Sequence, residues 1–366
     1  ETMSLLPAWV CQRGSGFRMN YFRCVMLYLI TISLVGGAII CAFSPDVKYI
    51  DGLFTAASAC TGTGLVAAEM NLMQTGSLVT IFILIYIGGT VFLLLPPMLY
   101  RRAVFAKLHP QLKQFVDRQT NTDLPSVNAL VVVLKKRELL HRALGMMILA
   151  VFIYLFLCTF CGSFIMTGFV ELYAHPPELQ SRGFTKLWTA SFLTISSFFN
   201  CGFTLTSDSM MQYADKPLVY IWSSGLILFG NTAAPMCLRG IVRLMHHFAG
   251  TLRLDKEALD FALKYPRLVT THLFDHRQNL ILLGFLVCIN LVELVFFLGF
   301  DLSRPSMQVY GSKEQLVGVG YFQTFSTRAS GMQLIDLRML NQGMLWLYIF
   351  FMYVAAAPYV SQMYAS

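Results

Sequence analysis

The apolar residues of this chain are grouped into long runs that contain no charged side chain. Runs without Asp, Glu, Lys or Arg cover residues 24–43, 71–100, 143–170, 217–238 and 339–366. A further run, residues 279–300, is interrupted only by Glu293. About 20 apolar residues in a helix are enough to cross the roughly 30 Å hydrocarbon core of a bilayer. The pattern therefore predicts an all-α polytopic membrane protein.

The composition agrees with this class and excludes several others. Of the 366 residues, 56% are hydrophobic and 13% are charged, whereas roughly 25% are charged in an ordinary soluble domain. Disordered and collagen-like chains have other compositions. The nine cysteines are dispersed along the chain and do not form a disulfide framework pattern. Cys158 and Cys161 stand inside an apolar run without a partner pair, which favours buried thiols over a metal site, and no cofactor is predicted.

The net charge of +8 comes from basic residues in particular segments between the runs. Lys and Arg are concentrated before the first run, in residues 101–142 and in residues 239–277, and they are scarce in residues 44–52 and 203–216. Because Lys and Arg accumulate in cytoplasmic loops of membrane proteins, the N-terminus and both basic segments are predicted to be cytoplasmic. Membrane orientation accounts for the charge, so the expected partner is the lipid bilayer and not nucleic acid.

Three further apolar segments are too short to cross the membrane: residues 52–65, 187–204 and 315–332. Segments of this kind beside true spans often re-enter the membrane and leave on the same side. Each of them ends in small polar residues and a glycine. Non-helical backbone at membrane depth is tolerated where protein buries it or where it lines a water-filled cavity. The segments are therefore predicted to be pore helices followed by pore-lining loops.

An internal repeat becomes visible when the three segments are superimposed on Gly64, Gly202 and Gly331. An aromatic residue stands ten positions before each glycine and an apolar residue directly after it, namely Phe54, Phe192 and Tyr321 before, and Leu65, Phe203 and Met332 after. The glycines recur at intervals of about 130 residues, each between two apolar runs. The sequence predicts three units of span, half-length pore helix, glycine loop and span, arranged around a central pore.

The amino-acid sequences of these segments are similar to those of a known family. The relevant phrases are FTAASACTGTGLVAAEM at 54–70, IGG at 87–89, ISSFFNCGF at 195–203, LFGNTAAPMCLR at 228–239 and FQTFSTRASGMQLIDL at 322–337. They resemble the Trk/Ktr/HKT superfamily of potassium and sodium transporters, most of all the HKT branch of high-affinity potassium transporters. The resemblance implies an ion pore built from four repeats.

Two features depart from the pattern of the HKT branch. The sequence of the third loop is more similar to that of fungal Trk proteins. It reads Arg328, Ala329, Ser330, Gly331 and Met332. A fourth glycine is expected one repeat after Gly331, at about residue 460. The sequence is therefore expected to be a fragment in which three of the four repeats are present.

The resemblance maps the cation filter onto three residues of each loop, with potassium and sodium as its ligands. They are Gly62, Thr63 and Gly64; Asn200, Cys201 and Gly202; and Ala329, Ser330 and Gly331. Rings of backbone carbonyls can replace the hydration shell of such an ion, although glycines at these positions also fit tight turns at helix ends. In the family, glycine at the position of Gly64 goes with potassium permeation and serine with sodium preference. This chain is therefore expected to carry potassium, and sodium with it.

The third unit contains two charged residues of interest, Glu293 in its first apolar run and Arg328 in its loop. Glu293 is an ionisable group at membrane depth, which either attracts cations or is hydrogen-bonded between helices, and the structural role is favoured. Arg328 is expected to brace the third loop by donating hydrogen bonds to nearby carbonyls, because its guanidinium presents a fork of donors that lysine lacks.

Three other functions compete with a potassium pore as interpretations of this sequence. A sodium-selective uniporter shares the fold. An intramembrane enzyme needs a converging nucleophile and base or metal ligands, and the sequence has neither a His-Glu-x-x-His run nor a paired membrane aspartate, so no enzymatic activity is expected. A receptor leaves the repeated loops unexplained. The resemblance also implies a homodimer, and a plasma-membrane location is expected.

These inferences divide the chain into segments. The expected segments are a cytoplasmic N-terminus (1–23), a first repeat (24–100), a basic cytoplasmic loop (101–142), a second repeat (143–240), a second basic cytoplasmic loop (241–278) and a third repeat (279–366). The division depends on the charge-free runs for its spans and on the basic residues for its orientation.

Overall fold

The computed structural model describes residues 21–106, 125–173, 176–270, 273–274, 276–310 and 312–352. Over these residues the regular secondary structure is helical, without a strand. The main helices are α1 Tyr21–Phe43, α2 Tyr49–Thr61, α3 Thr75–Gly88, α4 Phe92–Ala106, α5 Pro125–Leu155, α6 Gly162–Glu171, α7 Pro177–Ser181, α8 Lys186–Phe198, α9 Pro217–Gly230, α10 Ala234–His247, α11 Lys256–Lys264, α12 Pro266–Val269, α13 His276–Asp301, α14 Lys313–Ser326 and α15 Gln342–Met352. The predicted all-α class is confirmed.

Three helical stretches are long and apolar enough to cross a membrane as single spans. They are Arg23–Phe43, Lys135–Glu171 and His276–Asp301. The second joins α5 to α6 through a π-helical turn at Phe156–Cys161. Large apolar side chains such as Leu27 and Phe152 are exposed on their outer faces, as in helices that are surrounded by lipid. Each stretch precedes one of the glycine loops.

The apolar runs 71–100 and 217–238 were expected to be single spans, but the structure breaks both of them. α3 and α4 meet at a bend of 45°, and α9 and α10 meet at a bend of 82°. Each bend follows a glycine, Gly88 or Gly230. A Cβ at Gly88 would overlap the backbone of Cys60, and one at Gly230 would overlap the carbonyl oxygen of Phe198. In the first two units, the second span therefore bends where it packs against the end of its own pore helix.

The basic segments that were predicted to be loops also contain helices. α4 extends to Ala106, α5 begins at Pro125, and α11 and α12 lie within residues 241–278. Residues 1–20 and 107–124, which belong to the predicted N-terminal segment and first basic loop, lie outside the described residues, as do residues 353–366 of the predicted last span.

The units pack on one another in a fixed order. α3 of the first unit packs on pore helix α8 of the second, where the rings of Phe82 and Trp188 are 5.3 Å apart between centroids. α9 of the second unit packs on pore helix α14 of the third, where the rings of Tyr220 and Phe322 are 6.4 Å apart. Because each second span contacts the next pore helix, the three pore helices follow one another around a common centre.

Helix α11 is held to α5 by an ion pair. The Arg142 guanidinium lies 2.5 Å from the Asp255 carboxylate and 3.2 Å from that of Glu257. Asp255 also caps α11, because its Oδ1 accepts a hydrogen bond from the Ala258 N–H at 3.1 Å. Hydrogen bonds from Arg142 are the main reason that the pKa of the Asp255 carboxyl lies below its ordinary value.

Candidate cation filter

The first two glycine loops leave their pore helices with the same backbone geometry. The N–H of Thr63 donates to the Ser58 carbonyl at 3.0 Å, and the N–H of Cys201 donates to the Ser196 carbonyl at 2.9 Å. The preceding residue has a positive φ in both loops, 66° at Gly62 and 56° at Asn200. Asparagine is one of the few residues besides glycine that adopts this conformation readily. The sequence alignment of these two loops therefore corresponds to a structural repeat.

The third loop closes one residue later. Here the N–H of Gly331 donates to the Ser326 carbonyl at 2.8 Å, and Gly331 has a φ of 71°. Ala329 is not among the positive-φ residues, unlike Gly62 and Asn200 at the aligned positions. The Ser326 hydroxyl, 3.0 Å from the Ser330 hydroxyl, donates to the Met332 carbonyl at 2.6 Å. The third loop thus reaches its glycine through a different turn that serine side chains hold.

The glycines bring successive loops into backbone contact. A Cβ at Gly64 would overlap the carbonyl oxygen of Cys201 in the second loop, and a Cβ at Gly202 would overlap that of Ser330 in the third. A Cβ at Gly331 would meet no atom of the described residues within 4 Å. The three loops therefore form an arc in which each loop adjoins the next, and the arc is open beyond Gly331.

One cavity of about 420 Å³ connects the three loops. Gly64, Gly202 and Gly331 all line it, beside hydroxyl residues such as Thr204 and the carboxylate residue Glu69. Glu69 is exposed, and a carboxylate at the mouth of a narrow site raises the local concentration of cations. The arrangement places the backbone of all three loops around one polar space.

Several of the predicted filter side chains point away from this space. The thiol of Cys201 is buried and lies 3.9 Å and 3.8 Å from the carbonyl oxygens of Ser58 and Ala59. The amide of Asn200 is also buried and donates to the Phe198 carbonyl at 3.3 Å. Thr63 is exposed, and its hydroxyl is 2.6 Å from that of Thr61. The oxygen atoms that this arrangement offers to an ion are therefore mainly those of the backbone.

The described residues contain no group of three or more His, Cys, Asp or Glu side chains that could hold a metal ion.

The exposure of the apolar residue after each glycine shows which loops are covered by a neighbouring unit. Met332 is fully buried, and its sulfur accepts a hydrogen bond from the Ser197 hydroxyl at 3.6 Å. Phe203 is likewise buried, whereas Leu65 is 58% exposed. Loops two and three thus pack against the preceding unit, and the corresponding face of loop one is uncovered in the described chain.

A pair of tyrosines that the sequence analysis missed supports the two bends. The Tyr28 hydroxyl donates to the Ile87 carbonyl at 3.0 Å, and the Tyr154 hydroxyl donates to the Phe229 carbonyl. Each acceptor directly precedes the glycine of its bend. A helix break leaves carbonyls without their usual partner, and at membrane depth such groups need another donor. In the first two units, a tyrosine on the first span supplies that donor.

Arg328 lies between the third loop and α13. Its Nε is 3.1 Å from a carboxylate oxygen of Glu293 and donates to the Thr324 carbonyl at 3.2 Å, while Nη2 donates to the Asn290 side chain. The expected bracing of nearby carbonyls accounts for one of these contacts. The others join the loop to a span that is distant in sequence.

The fold and the loops define the class of this protein as a polytopic membrane protein with repeated pore-loop units. Residues 31–361 match the TrkH family, described as cation transport proteins. The match covers most of the chain, so the chain belongs to this family, as the sequence predicted.

Curated relatives include fungal and plant transporters. The chain is 32% identical over 219 residues to the potassium transporter TRK1 of Candida albicans, with 60% of this chain and 21% of that protein covered. It is 25% identical over 331 residues to the cation transporter HKT1;3 of Oryza sativa subsp. japonica, with 85% and 61% covered. The chain thus spans about a fifth of the fungal relative and three fifths of the plant one.

The chain is also similar to a solved structure. The potassium transporter TrkH of Vibrio parahaemolyticus is 15% identical, with a TM-score of 0.48, and the match covers 93% of this chain and 58% of that one.

Proposed function

We propose that this chain builds three quadrants of a pore that moves potassium, and sodium with it, across a membrane. The observation that carries the proposal is the arc of glycine loops. Gly64 adjoins the Cys201 carbonyl, Gly202 adjoins the Ser330 carbonyl, and all three loop glycines line one cavity. A further loop of the same kind beside Gly331 would close the arc into a ring.

The chemistry of an alkali cation fits such a ring. A dehydrated ion needs oxygen ligands in place of water, and fixed charges are costly inside a membrane. Backbone carbonyls meet both conditions. The loop glycines have a positive φ, 73° at Gly64 and 85° at Gly202. Glycine adopts this conformation without the steric strain that a Cβ causes. Close approach of the next loop adds a second reason for glycine at these two positions.

The names of the relatives support the choice of ion. The Candida albicans relative is a potassium transporter and the rice relative a cation transporter. Gly64, by the resemblance stated above, favours potassium. A sodium-selective uniporter is the competing function, and an enzyme or receptor finds no support in the loop geometry.

The proposal includes a setting for the protein. Its apolar helices make it an integral membrane protein, for which we propose the plasma membrane, a cytoplasmic N-terminus and a homodimer. The orientation is supported by the basic residues of segments such as 241–278.

Flux measurements on the complete protein in liposomes test this function. Potassium-loaded vesicles should take up radioactive rubidium down its gradient, and added sodium should reduce that uptake by competition. Empty vesicles and vesicles with a Gly202→Ala protein are the controls. Uptake no faster than in empty vesicles, from protein that is correctly folded, would contradict the proposal, and uptake of sodium alone would establish the uniporter.

A further inference from the structure

A buried ion pair lies directly behind the third glycine loop. Glu293 on α13 is completely buried, and the Arg328 side chain is 7% exposed. Within the described residues, the Glu293 carboxylate forms its ion pair with Arg328. Arg328 itself stands three residues before Gly331 and directly before Ala329. A fixed positive charge is thus held next to a loop that is proposed to pass cations.

Neither of these charges is tolerable at this depth without the other. A charged group in a medium of low polarity carries a large desolvation cost, and removal of one partner of a buried pair leaves the other uncompensated. An uncompensated guanidinium would also repel cations, since Coulomb interactions are strong where water is scarce. Glu293 therefore has two effects on Arg328: it fixes the side chain in place and it cancels its charge.

The contacts of Arg328 divide between two elements. Thr324, which accepts a hydrogen bond from Nε at 3.2 Å, belongs to pore helix α14. Asn290 and Glu293, which lie one turn apart, belong to α13. The guanidinium therefore joins the end of the pore helix to the span behind it, at the point where the loop begins.

The first two loops have no equivalent of this pair. Three residues before Gly64 stands Thr61, and three residues before Gly202 stands Phe199. The side chains at the aligned positions are thus uncharged, and Phe199 packs against the ring of Tyr86 at 5.3 Å between centroids. The charge pair distinguishes the third loop from the other two.

We infer that Glu293 is a positioning residue for ion passage, which holds Arg328 behind the third loop and neutralises it so that the loop can bind a cation. The inference rests on the proposed function. It assigns Glu293 a role in transport that acts through Arg328 and not through direct contact with the ion.

Rubidium uptake by the complete protein, measured over a range of concentrations, tests this role. E293Q keeps the shape of the side chain and leaves the guanidinium uncompensated, so its KM for rubidium should rise about tenfold. The double variant E293Q/R328Q removes both charges and should return KM to within about threefold of the parent. Asn279→Leu, which removes another buried polar group from α13, is the matched control and should leave KM unchanged.

The outcomes separate the inference from a purely structural role. A structural role would lower the amount of folded protein and the maximal rate without raising KM in E293Q alone. A parental KM in E293Q, or a KM in the double variant as high as in E293Q, would overturn the inference. Two other variants replace E293Q if it does not reach the membrane. In that case E293D should keep a near-parental KM, and E293Q/R328Q should insert into the membrane better than E293Q. The inference is overturned if one of these two results is not obtained.

Failure of the proposed function has a different signature. If the parent protein carries no rubidium, the proposed transport function is wrong. The interaction between Glu293 and Arg328 is then measured by thermal unfolding of the parent, E293Q, R328Q and the double variant. Coupling between the two positions in that cycle would then show a structural pair without a transport role, which also contradicts the inference.

Discussion

Gly64 lies so close to the carbonyl oxygen of Cys201 that a Cβ at this position would overlap it. The same relationship recurs between Gly202 and the Ser330 carbonyl. Each contact joins one glycine loop to the next, so the glycines do more than permit a positive φ. They set the distance between neighbouring loops, and with it the spacing of the carbonyl oxygens around the shared cavity.

The open end of the arc leads to the first prediction. Gly202→Ala should reduce the rate of transport, because the added Cβ displaces the third loop. The Cβ that Gly331→Ala adds meets no atom of the described residues. Within these residues its cost is therefore the strain of an alanine in the left-handed conformation, about 1–2 kcal/mol. If a further loop adjoins Gly331 in the complete protein, Gly331→Ala should impair transport as severely as Gly202→Ala. Rubidium uptake at matched surface abundance measures both, and near-parental uptake by Gly331→Ala would argue against a closed ring.

A second prediction concerns the guanidinium of Arg328. Arg328→Lys keeps the positive charge that pairs with Glu293 but cannot reproduce the fork of donors toward Thr324 and Asn290. The maximal rate of rubidium uptake should fall several-fold, while KM and membrane abundance stay close to those of the parent. An unchanged rate would show that the charge alone is sufficient.

The orientation of the chain gives a third prediction. Asp208 and Lys256 are both exposed, and the basic-residue pattern places Asp208 outside and Lys256 inside. Lys113, which lies in the same predicted compartment as Lys256, is outside the described residues. In intact cells, an impermeant thiol reagent should label Asp208→Cys and leave Lys256→Cys unlabelled, with the parent as the background for native cysteines. The opposite labelling would invert the topology.

The ion pair between Asp255 and Arg142 predicts a dependence of stability on pH. The pKa of Asp255 is lowered in the folded state, so its contribution is complete above the unfolded value of about 3.9 and is lost as the pH falls through the folded pKa. Both side chains are partly exposed, 27% and 40%, which limits the contribution to about 0.2–1 kcal/mol.

Thermal unfolding of Asp255→Asn in detergent measures this contribution. Asparagine keeps the helix cap, so the variant should be slightly less stable than the parent at neutral pH and equal to it in strong acid. Asp255→Ala, which also removes the cap, should lose about 1 kcal/mol more. A difference between Asp255→Asn and the parent that persists in acid would assign the effect to packing.

The sequence predicted the pore helices and their glycines because these features are local. Apolar segments that end in glycine need no distant partner to be recognised, and α2, α8 and α14 cover most of the segments that were expected to re-enter the membrane. The bend after Gly88 was missed because hydropathy continues unchanged through it. At this bend Gly88 packs so closely on the backbone of Cys60 that a Cβ would overlap it, and only the folded chain brings the two together.

Side chains that act across the fold were harder to predict. Tyr28 and Tyr154 have equivalent roles, but they stand at different distances from their loop glycines and therefore do not align. The sequence indicated that Arg328 braces a loop, yet its partners on α13 are about 40 residues earlier in the chain, so no local pattern could join them.

The reversal potential of the complete protein in mixed potassium and sodium solutions tests the filter assignment most directly. Gly64→Ser should lower the permeability of potassium relative to sodium, and a tenfold change needs only about 1.4 kcal/mol. Gly64→Ala separates the causes, because it adds the Cβ that meets the Cys201 carbonyl without adding an oxygen. We predict that serine shifts the ratio in well-expressed protein, and that alanine shifts it equally if crowding is the cause. A potassium-to-sodium ratio that is unchanged in both variants would contradict the role of Gly64 in the filter.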